Sequence, residues 1–332
     1  MIVWHQRWHD GHPLFALLLP LSLLFGLITA LRRQLYRAGL LRGWRAPVPV
    51  IVIGNITVGG TGKTPVTLAV VEQLRQAGWR PAIVSRGYGG DADYPCRVLP
   101  DSPAAEVGDE PLLLARRSGV PVVVDPLRAR AVRHVLAETD SNVIVCDDGL
   151  QHYALARDVE IVVIDGQRGL GSGWLLPAGP LREGMSRLAS ADAVVINGTW
   201  SRPEPVPAHA HVMSLLPGSW QPLAADTPQQ PPQPPATVHA MAGIGHPPRF
   251  FAQLRQAGFT VIEHPFPDHH AYTVDELHFT PPAPLVMTEK DAVKCRGLAP
   301  ADSWMVPVQA MLPPLFWQTL MTRLAAWRPP HA

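Results

Sequence analysis

The sequence predicts an α/β fold in which a parallel sheet is covered by helices on both faces. Short β-branched runs such as VPVIVIGN (residues 48–55) alternate with stretches of helical periodicity such as TPVTLAVVEQLRQAG (64–78). Strands that alternate with helices of this length indicate right-handed βαβ units. A second, smaller α/β pattern follows a proline-rich break, and an apolar segment precedes both.

The composition indicates a folded protein and excludes several classes. The chain has 332 residues, enough for two domains with their own cores, and a formal net charge of only +1. Such a balance does not indicate a polyanion binder, so no nucleic-acid partner is expected. Its three cysteines, Cys96, Cys146 and Cys295, lie far apart and lack C-x-x-C spacing. They favour reduced thiols over a disulfide framework or a cysteine metal site.

Residues 1–46 predict a membrane-associating helix with a basic segment. The apolar part, Pro13–Leu31, has no charged residue, and RRQLYRAGLLRGWR after it carries five arginines that would face anionic headgroups. The run is near the lower length limit for a span, and Pro20 and Gly26 interrupt it. A helix lying in the membrane interface is therefore at least as well supported. A signal peptide is disfavoured because the charges follow the apolar run, and a buried core helix is the alternative.

The remaining chain divides into three predicted parts. Residues 47–200 hold the first series of strands, from VPVIVIGN through RPAIVSRG, GVPVVVD, NVIVCDDG and VEIVVIDG to ADAVVING. Residues 201–236 include SRPEPVP and TPQQPPQPP, which are typical of a connection. Residues 237–332 predict a second α/β domain, and its closing helix in LFWQTLMTRLAAW could pack on either domain.

The segment TVGGTGKTP (57–65) predicts a phosphate-binding loop, and with the parallel sheet a P-loop NTPase-like domain. Its glycines let backbone N–H groups converge on phosphate oxygens at the start of a helix. Lys63 would reach the β- and γ-phosphates, and Thr64 would bind Mg²⁺. Thr57 replaces the usual first glycine, so the loop must manage without a positive φ there or adopt it at Gly54 or Gly59. A glycine turn without a ligand is the alternative.

Two aspartates supply a candidate metal site. Asp147 and Asp148 end the apolar run NVIVCDDG, at the sheet edge where parallel strands bind ligands. Adjacent carboxylates in a dry cleft repel each other unless a cation neutralises them. The pair alone would indicate a turn, but together with the loop upstream it predicts bound Mg²⁺.

Two further segments offer groups that could deprotonate or orient an acceptor. EVGDEP contains Asp109 and Glu110 before a helix, where spacing alone favours Asp109 as an N-cap. FPDHH contains Asp268, His269 and His270, a run that is weak as a metal site without other ligands. The residues alone leave the choice of base open.

Several motifs together resemble one family. They are GNITVGGTGKTP, VSRGYGG, GDEPLLLA, DDGLQHYALARDVEIVVIDG, WLLPAGPLRE, VHAMAGIGHPPRFF, PDHH and VMTEKDAVK. In this order they are similar to the tetraacyldisaccharide 4'-kinase family, the lipid A kinases of Gram-negative bacteria. SRGYGG followed by DDGLQH makes the resemblance specific, and the match runs from the apolar N-terminus nearly to the end.

The resemblance implies an activity, its cofactors and a location. The activity is transfer of the γ-phosphate of ATP, with Mg²⁺, to the 4'-hydroxyl of a tetraacylated glucosamine disaccharide 1-phosphate. The product would be lipid IVA, an intermediate of lipid A biosynthesis. The enzyme would then act at the cytoplasmic face of the inner membrane of a Gram-negative bacterium, with a membrane lipid as its partner and no protein partner expected.

The resemblance also implies roles for single residues. The base falls on Asp109 and its helper on His269 of the other domain, so domain closure would assemble the site, and Lys63 acts on the phosphates. The implied nucleotide-binding positions are Thr57, Val58, Gly59, Gly60, Thr61, Gly62, Lys63, Thr64 and Arg182. The implied metal positions are Thr64, Asp147, Asp148 and Glu183. Arg86 and His152 are expected in the pocket without an assigned role.

Two other classes of protein remain as alternatives. A regulatory or metal-delivery GTPase at the membrane face would need a guanine-reading T-K-x-D, but Glu289 separates Thr288 from Lys290 in TEKD. It would also need clustered Cys or His for a metal. A membrane-recruited ATP-binding scaffold would lack turnover that depends on an acceptor.

Overall fold

The computed structural model describes residues 7–207, 209–223, 228 and 230–329, which form one sheet of nine strands and one of five. The strands are β1 (Val50–Gly54), β2 (Pro81–Ser85), β3 (Cys96–Val98), β4 (Val122–Val124), β5 (Val143–Asp147), β6 (Val159–Asp165), β7 (Ala193–Asn197), β8 (Ala210–Pro217), β9 (Gln221–Pro222), β10 (Thr237–Ala242), β11 (Thr260–Pro265), β12 (Leu285–Thr288), β13 (Ser303–Val306) and β14 (Val308–Met311). The α-helices are α1 (Leu19–Arg37), α2 (Lys63–Gln76), α3 (Ala104–Val107), α4 (Asp109–Ser118), α5 (Arg128–Glu138), α6 (Pro247–Gln256), α7 (Glu289–Cys295) and α8 (Pro314–Ala325). Short 3₁₀ helices lie at Pro13–Leu18, Met185–Ser190 and Asp275–Leu277.

The large sheet is parallel except at its two edges. Its order is β14-β8-β7-β6-β1-β5-β2-β4-β3, with β3 and β14 antiparallel to their neighbours. Successive side chains of β1 point to opposite faces, so Ile51 and Ile53 pack under α2, α4 and α8 whereas Val50 and Val52 pack under α5. Both faces are therefore covered, as the apolar strands predict.

The small sheet repeats this plan on a reduced scale. Its order is β11-β10-β12-β13-β9, and only β9 runs antiparallel. Helix α6 covers one face through Phe250, Phe251 and Leu254, while α7 and Tyr272 cover the other. Like the large sheet, it presents the carboxyl ends of its parallel strands to the space between the two units.

The chain leaves the large sheet after β8, forms the small sheet, and returns to the large sheet at β14. These two strands pair with each other in the large sheet, although the sequence expectation placed β8 inside a connection. Pairing with a strand nearly a hundred residues later leaves no local signal, which explains the difference. Helix α8 also returns to the large unit, where Phe316, Leu320 and Leu324 join its core. From this pairing we propose that the smaller unit spans residues 218–307 and that the large unit includes residues 308–329.

Helix α1 lies on the large unit with most of its apolar surface exposed. It is the one helix among the described residues that is long and apolar enough to cross a membrane. The two interrupting residues are accommodated, since Pro20 lies in the first turn and Gly26 packs closely on Leu175. Leu23 and Leu27 are 73% and 66% exposed, so α1 is not a buried core helix.

We expect Leu320→Ala in α8 to lower the free energy of unfolding of the full chain by about 2–5 kcal/mol, because it opens a cavity in the large unit's core. Leu315→Ala in the same helix is the matched control, since Leu315 is 62% exposed and should cost no more than about 0.5 kcal/mol. Urea denaturation followed by circular dichroism measures both. Equal losses in the two variants would contradict the packing of α8 on the large sheet.

Candidate active site

The loop after β1 has the geometry of a phosphate cradle. Gly59 and Gly62 adopt positive φ of 97° and 98°, and α2 begins at Lys63 directly after Gly62. No side chain caps this helix, so the N–H groups of its first turn remain free of a capping partner. Thr64 lies in the same turn. An anion placed here would meet backbone donors, a helix dipole and the Lys63 ammonium.

Thr57 is accommodated because the loop starts in extended conformation. Thr57 forms an antiparallel bridge with Leu181, and the N–H of Val58 donates to Pro180 O at 2.8 Å. The first positive φ in the loop therefore falls on Gly59, one of the two positions expected, and not on Gly54. A glycine at position 57 is not required.

Three polar side chains brace this loop from outside it, and the sequence analysis did not identify them. The Asn55 amide donates to Gly59 O at 3.1 Å and accepts from Lys63 Nζ at 3.3 Å. Asn197, at the end of β7, donates to Thr61 O at 3.0 Å, and Arg168 donates to Gly60 O. In the sequence, two of them could have been identified only by their position. Asn55 follows β1 and Asn197 ends β7, and both are apolar strands.

Asp147 and Asp148 lie beside the loop because β5 is the neighbour of β1. Asp147 pairs in register with Ile53 and accepts from Thr67 of α2 at 2.9 Å. Asp148 Oδ1 lies 3.6 Å from Lys63 Nζ, and its backbone adopts a positive φ of 47°. Such strain in a non-glycine residue is often found at functional sites.

The two carboxylates differ in their proton affinity. Burial and the charge of Glu110 raise the pKa of Asp147 to about 7, against the opposing effect of Lys63. Burial also acts on Asp148, but the charges of Lys63 and Arg182 outweigh it and lower the pKa of that carboxyl below its ordinary value. Asp148 is therefore the anion of the pair at neutral pH, whereas Asp147 needs a neighbouring cation to stay ionised.

The donor set fits a magnesium ion. Asp147 Oδ2 and Asp148 Oδ1 are buried acceptors without a hydrogen-bond partner, and the Thr64 hydroxyl is on the adjacent turn. Among the residues that the structure describes, no three His, Cys, Asp or Glu side chains cluster as a metal site. Mg²⁺ usually takes one or two carboxylates and completes its shell with water and substrate phosphates. Two carboxylates and a hydroxyl beside a phosphate loop meet that requirement.

Arg182 and Glu183 lie next to each other in sequence but make different contacts. Arg182 Nη1 lies 3.5 Å from Asp148 Oδ2, beside the loop. Glu183 accepts from Tyr153 Oη at 2.5 Å and lies 3.4 Å from Arg187 Nε, so these two residues hold its carboxylate. Its Oε1 is buried without a hydrogen-bond partner. The structure thus brings Arg182 to Asp148 and places Glu183 in a separate buried network.

Asp109 and His269 meet across the two units. His269 Nδ1 lies 3.0 Å from Asp109 Oδ2 and 3.1 Å from Oδ1, although 160 positions separate them in sequence. Asp109 is the first residue of α4 and its Oδ1 accepts from the N–H of Glu110 at 2.9 Å. His269 adopts a positive φ of 62°, and the Tyr88 ring lies against its imidazole at 5.3 Å between centroids.

The contact changes the proton affinity of both partners. Burial alone would raise the pKa of Asp109, but the hydrogen bond with His269 and the charge of Lys290 outweigh it and lower the pKa. The same hydrogen bond raises the pKa of His269 above its ordinary value, against burial and Lys290. Asp109 is buried whereas the His269 side chain is 34% exposed, so the imidazole is the part of the pair open to the space between the units.

The space between the two units is a cleft of about 220 Å³ whose floor is the phosphate loop. Its other lining residues include Glu110, Asp268 and Lys290, which surround the Asp109–His269 pair. The units approach each other closely here, because a Cβ on Gly245 would lie 2.9 Å from Gly60 N. The phosphate loop and the immediate neighbours of Asp109 and His269 therefore line one space.

The remaining candidates either have structural partners or lie outside the lining of the cleft. His270 Nε2 lies 3.1 Å from Glu276 Oε1, within its own unit. Arg86 is exposed, and burial together with the charge of Arg128 lowers the pKa of His152 to about 4, so His152 is neutral at physiological pH. Asp291 of TEKD is fully buried and accepts from the N–H of Gly243 at 3.0 Å. It is therefore not placed to read a guanine.

A parallel sheet, a glycine loop between β1 and α2, and carboxylates at the end of the adjacent strand define the class of P-loop NTPase-like α/β proteins. A family model described as Tetraacyldisaccharide-1-P 4'-kinase (LpxK) matches residues 14–325. The chain belongs to this family, which confirms the resemblance drawn from its motifs.

Individual relatives and a solved structure agree with this assignment. A Tetraacyldisaccharide 4'-kinase from Alkalilimnicola ehrlichii is 54% identical over 308 residues, covering 92% of this chain and 91% of that protein. One from Shewanella sp. (strain MR-4) is 51% identical over 327 residues, covering 96% and 94%. The structure of LpxK from Aquifex aeolicus in complex with ATP matches with a TM-score of 0.76 at 29% identity, over 94% of this chain and 99% of that one. The predicted fold class is thereby confirmed.

In metal-free protein we expect Asp147→Asn to become more stable relative to wild type as the pH rises from about 4 to about 7. The folded-state pKa of about 7 exceeds the ordinary aspartate value of about 3.9, so over this window Asp147 ionises in the unfolded chain while the folded protein still holds the proton, and wild type loses stability. The gain is at most about 1.4 kcal/mol per pH unit. Asp101→Asn, at an exposed position, is the control. Urea denaturation in EDTA at each pH measures the difference in free energy of unfolding between the variant and wild type. If this difference does not change with pH, the argument that burial raises the pKa of Asp147 is contradicted.

Proposed function

We propose that this protein transfers the γ-phosphate of ATP to the 4'-hydroxyl of a tetraacylated glucosamine disaccharide 1-phosphate, yielding lipid IVA and ADP. Family membership over nearly the whole chain supports this reaction, as does the likeness to an ATP-bound LpxK. The observation that carries the proposal is the Asp109–His269 contact, because it puts a proton acceptor next to Lys290, which lines the same cleft as the phosphate loop. A switch-type NTPase needs no such pair.

The nucleotide phosphates would lie on the residue 57–64 loop. Backbone N–H groups between Gly59 and Thr64, the start of α2 and the Lys63 ammonium would offset the negative charge that spreads over the transferring group. Arg182 extends this positive surface towards Asp148. A Mg²⁺ ion held by Thr64, Asp147 and Asp148 would neutralise further phosphate charge when it is bound.

The acceptor hydroxyl would meet the Asp109–His269 pair from the opposite side of the cleft. As the hydroxyl oxygen bonds to the γ-phosphorus, the bond from that phosphorus to the bridging oxygen of ADP breaks and the hydroxyl proton passes to the pair. We assign the accepting atom to His269 Nε2 and not to Asp109, the base that the resemblance implied, because Asp109 holds Nδ1 of the imidazole and stabilises the positive charge that His269 gains. Because the two residues lie on different units, only the closed arrangement of the units assembles this acceptor.

The lipid substrate requires that the cleft open near a bilayer. Helix α1 exposes a row of leucines, and its last turns carry Arg32, Arg33 and Arg37. An apolar helix with a basic end suits the interface of a membrane that contains anionic lipids. We place the protein at the cytoplasmic face of the inner membrane, where ATP is available.

We expect Asp109→Asn to lower the rate of lipid phosphorylation by about 10²–10⁴-fold, because His269 loses the carboxylate that orients it and stabilises its imidazolium. Transfer of label from γ-labelled ATP to detergent-dispersed tetraacyldisaccharide 1-phosphate measures the rate. Asp101→Asn, which changes an exposed aspartate in the same way, should keep wild-type activity. Label that appears only as free phosphate, equally with and without the lipid, would contradict the kinase and favour a switch-type NTPase.

We expect the double variant Leu23→Glu, Leu27→Glu to lose at least tenfold in affinity for liposomes that contain anionic lipids, because burying each leucine contributes about 1.5–3 kcal/mol. Both side chains are exposed on α1. Flotation of the full chain with liposomes measures binding, and Leu315→Glu on α8 is the control because that leucine is also exposed. Unchanged flotation of the α1 variant would refute membrane binding through this helix.

A further inference from the structure

Lys290 lies at the meeting point of the two units, beside the proton-accepting pair. It is in the first turn of α7, and its Nζ donates to Glu110 Oε1 of α4 at 2.9 Å and to Asp268 Oδ1 at 2.9 Å. Its Nζ also lies 3.5 Å from His269 Nε2. One ammonium thus touches both units and the imidazole nitrogen that faces away from Asp109.

These contacts fix the tautomer of His269. A lysine ammonium has three donors and no acceptor, so the nitrogen that faces it presents a lone pair. Nδ1 faces the Asp109 carboxylate, which only accepts, and therefore carries the hydrogen. The Nδ1–H tautomer leaves Nε2 basic, which is the form that accepts a proton.

Lys290 also offsets the charges that surround the pair. The carboxylates facing His269 are Asp109 from α4 and Asp268 from its own loop, and both favour the imidazolium, whereas Glu110 of α4 contacts Lys290. An imidazolium cannot accept a further proton. The facing positive charges come from α7, where Lys290 contacts the pair and Lys294 is already paired with Asp291 at 3.4 Å. The Tyr88 ring lies beside the imidazole, and His270 follows His269 in the sequence.

We propose that Lys290 is a positioning residue that keeps the Asp109–His269 pair able to accept a proton, by fixing the Nδ1–H tautomer and by offsetting Glu110 and Asp268. Burial opposes the charged form of Lys290, but Glu110 and Asp268 outweigh it and raise the pKa, so the ammonium is permanent over the working pH range. This role rests on the proposed kinase reaction, and it adds a residue of α7 to the groups that determine its pH dependence.

The test is the pH dependence of kcat/KM for the lipid acceptor in the full chain. Without the ammonium, Asp109 and Asp268 face the imidazole unopposed and Glu110 loses its cationic partner, so the pair holds its proton more tightly. We expect Lys290→Met to move the acidic limb of the profile upward by about one pH unit or more. Its rate should recover towards the wild-type value above the shifted limb. Lys290→Arg, which keeps the charge, should restore most of the wild-type profile.

Arg117→Met is the matched control for a loosened contact between the units. Arg117 Nη1 pairs with Glu289 Oε2 at 2.5 Å across the same helices, α4 and α7, but neither residue touches His269. We expect this variant to keep the acidic limb where wild type has it. A second readout that needs no activity is the ¹⁵N NMR titration of the His269 ring, assigned with His269→Gln, which should move upward in Lys290→Met.

Each outcome bears on the inference. The inference is overturned if, in Lys290→Met, the acidic limb of the pH profile and the His269 titration both stay where wild type has them. A loss of rate that is equal at every pH, or a change only in the KM for ATP, would also overturn it. A limb that shifts equally in Arg117→Met would assign the effect to loosened units. If wild type itself transfers no phosphate to the lipid, the proposed function fails instead, and the NMR titration still decides what Lys290 does to His269.

Discussion

Among the described residues, three side-chain contacts between the two units hold the site together, and all of them start from α4. Asp109 meets His269, Glu110 meets Lys290 and Arg117 meets Glu289, at distances between 2.5 and 3.0 Å. The first of these pairs would accept the proton, and the second keeps that acceptor in its basic form. The chemistry of the cleft therefore depends on the same contacts that close it, which couples closure of the units to competence for transfer.

A second constraint is the excess of negative charge that the cleft must hold. Asp147, Asp148 and Glu110 lie near the loop where phosphates would also bind, and the fixed positive groups there are Lys63, Arg182 and backbone N–H groups. A buried carboxylate oxygen that accepts no hydrogen bond is costly unless a cation joins it. Asp147 Oδ2 and Asp148 Oδ1 each lack a hydrogen-bond donor, so this site needs a bound cation to satisfy them. In a structural ion-pair network, by contrast, the protein itself supplies every partner.

The sequence predicted what depends on local patterns and on the rules of parallel sheets. The loop at residues 57–64 and the aspartates after β5 follow from strand–turn–helix order, since adjacent parallel strands end at the same edge. The pairing of β8 with β14 and the contacts of Lys290 depend on segments far apart in the chain, so no local pattern reveals them. Asp109 shows the limit clearly, because its position at the start of α4 predicts a cap, and only His269 on the other unit indicates a different role.

The central claim is that Asp109 and His269 act as one proton acceptor across the two units. A double-mutant cycle on kcat for lipid phosphorylation, with Asp109→Asn, His269→Gln and the combined variant, tests it most directly. If the residues act together, the double variant should be no slower than the more damaged single variant, within about a factor of three. If the two single losses multiply in the double variant, the residues act independently and the account of a shared acceptor is contradicted.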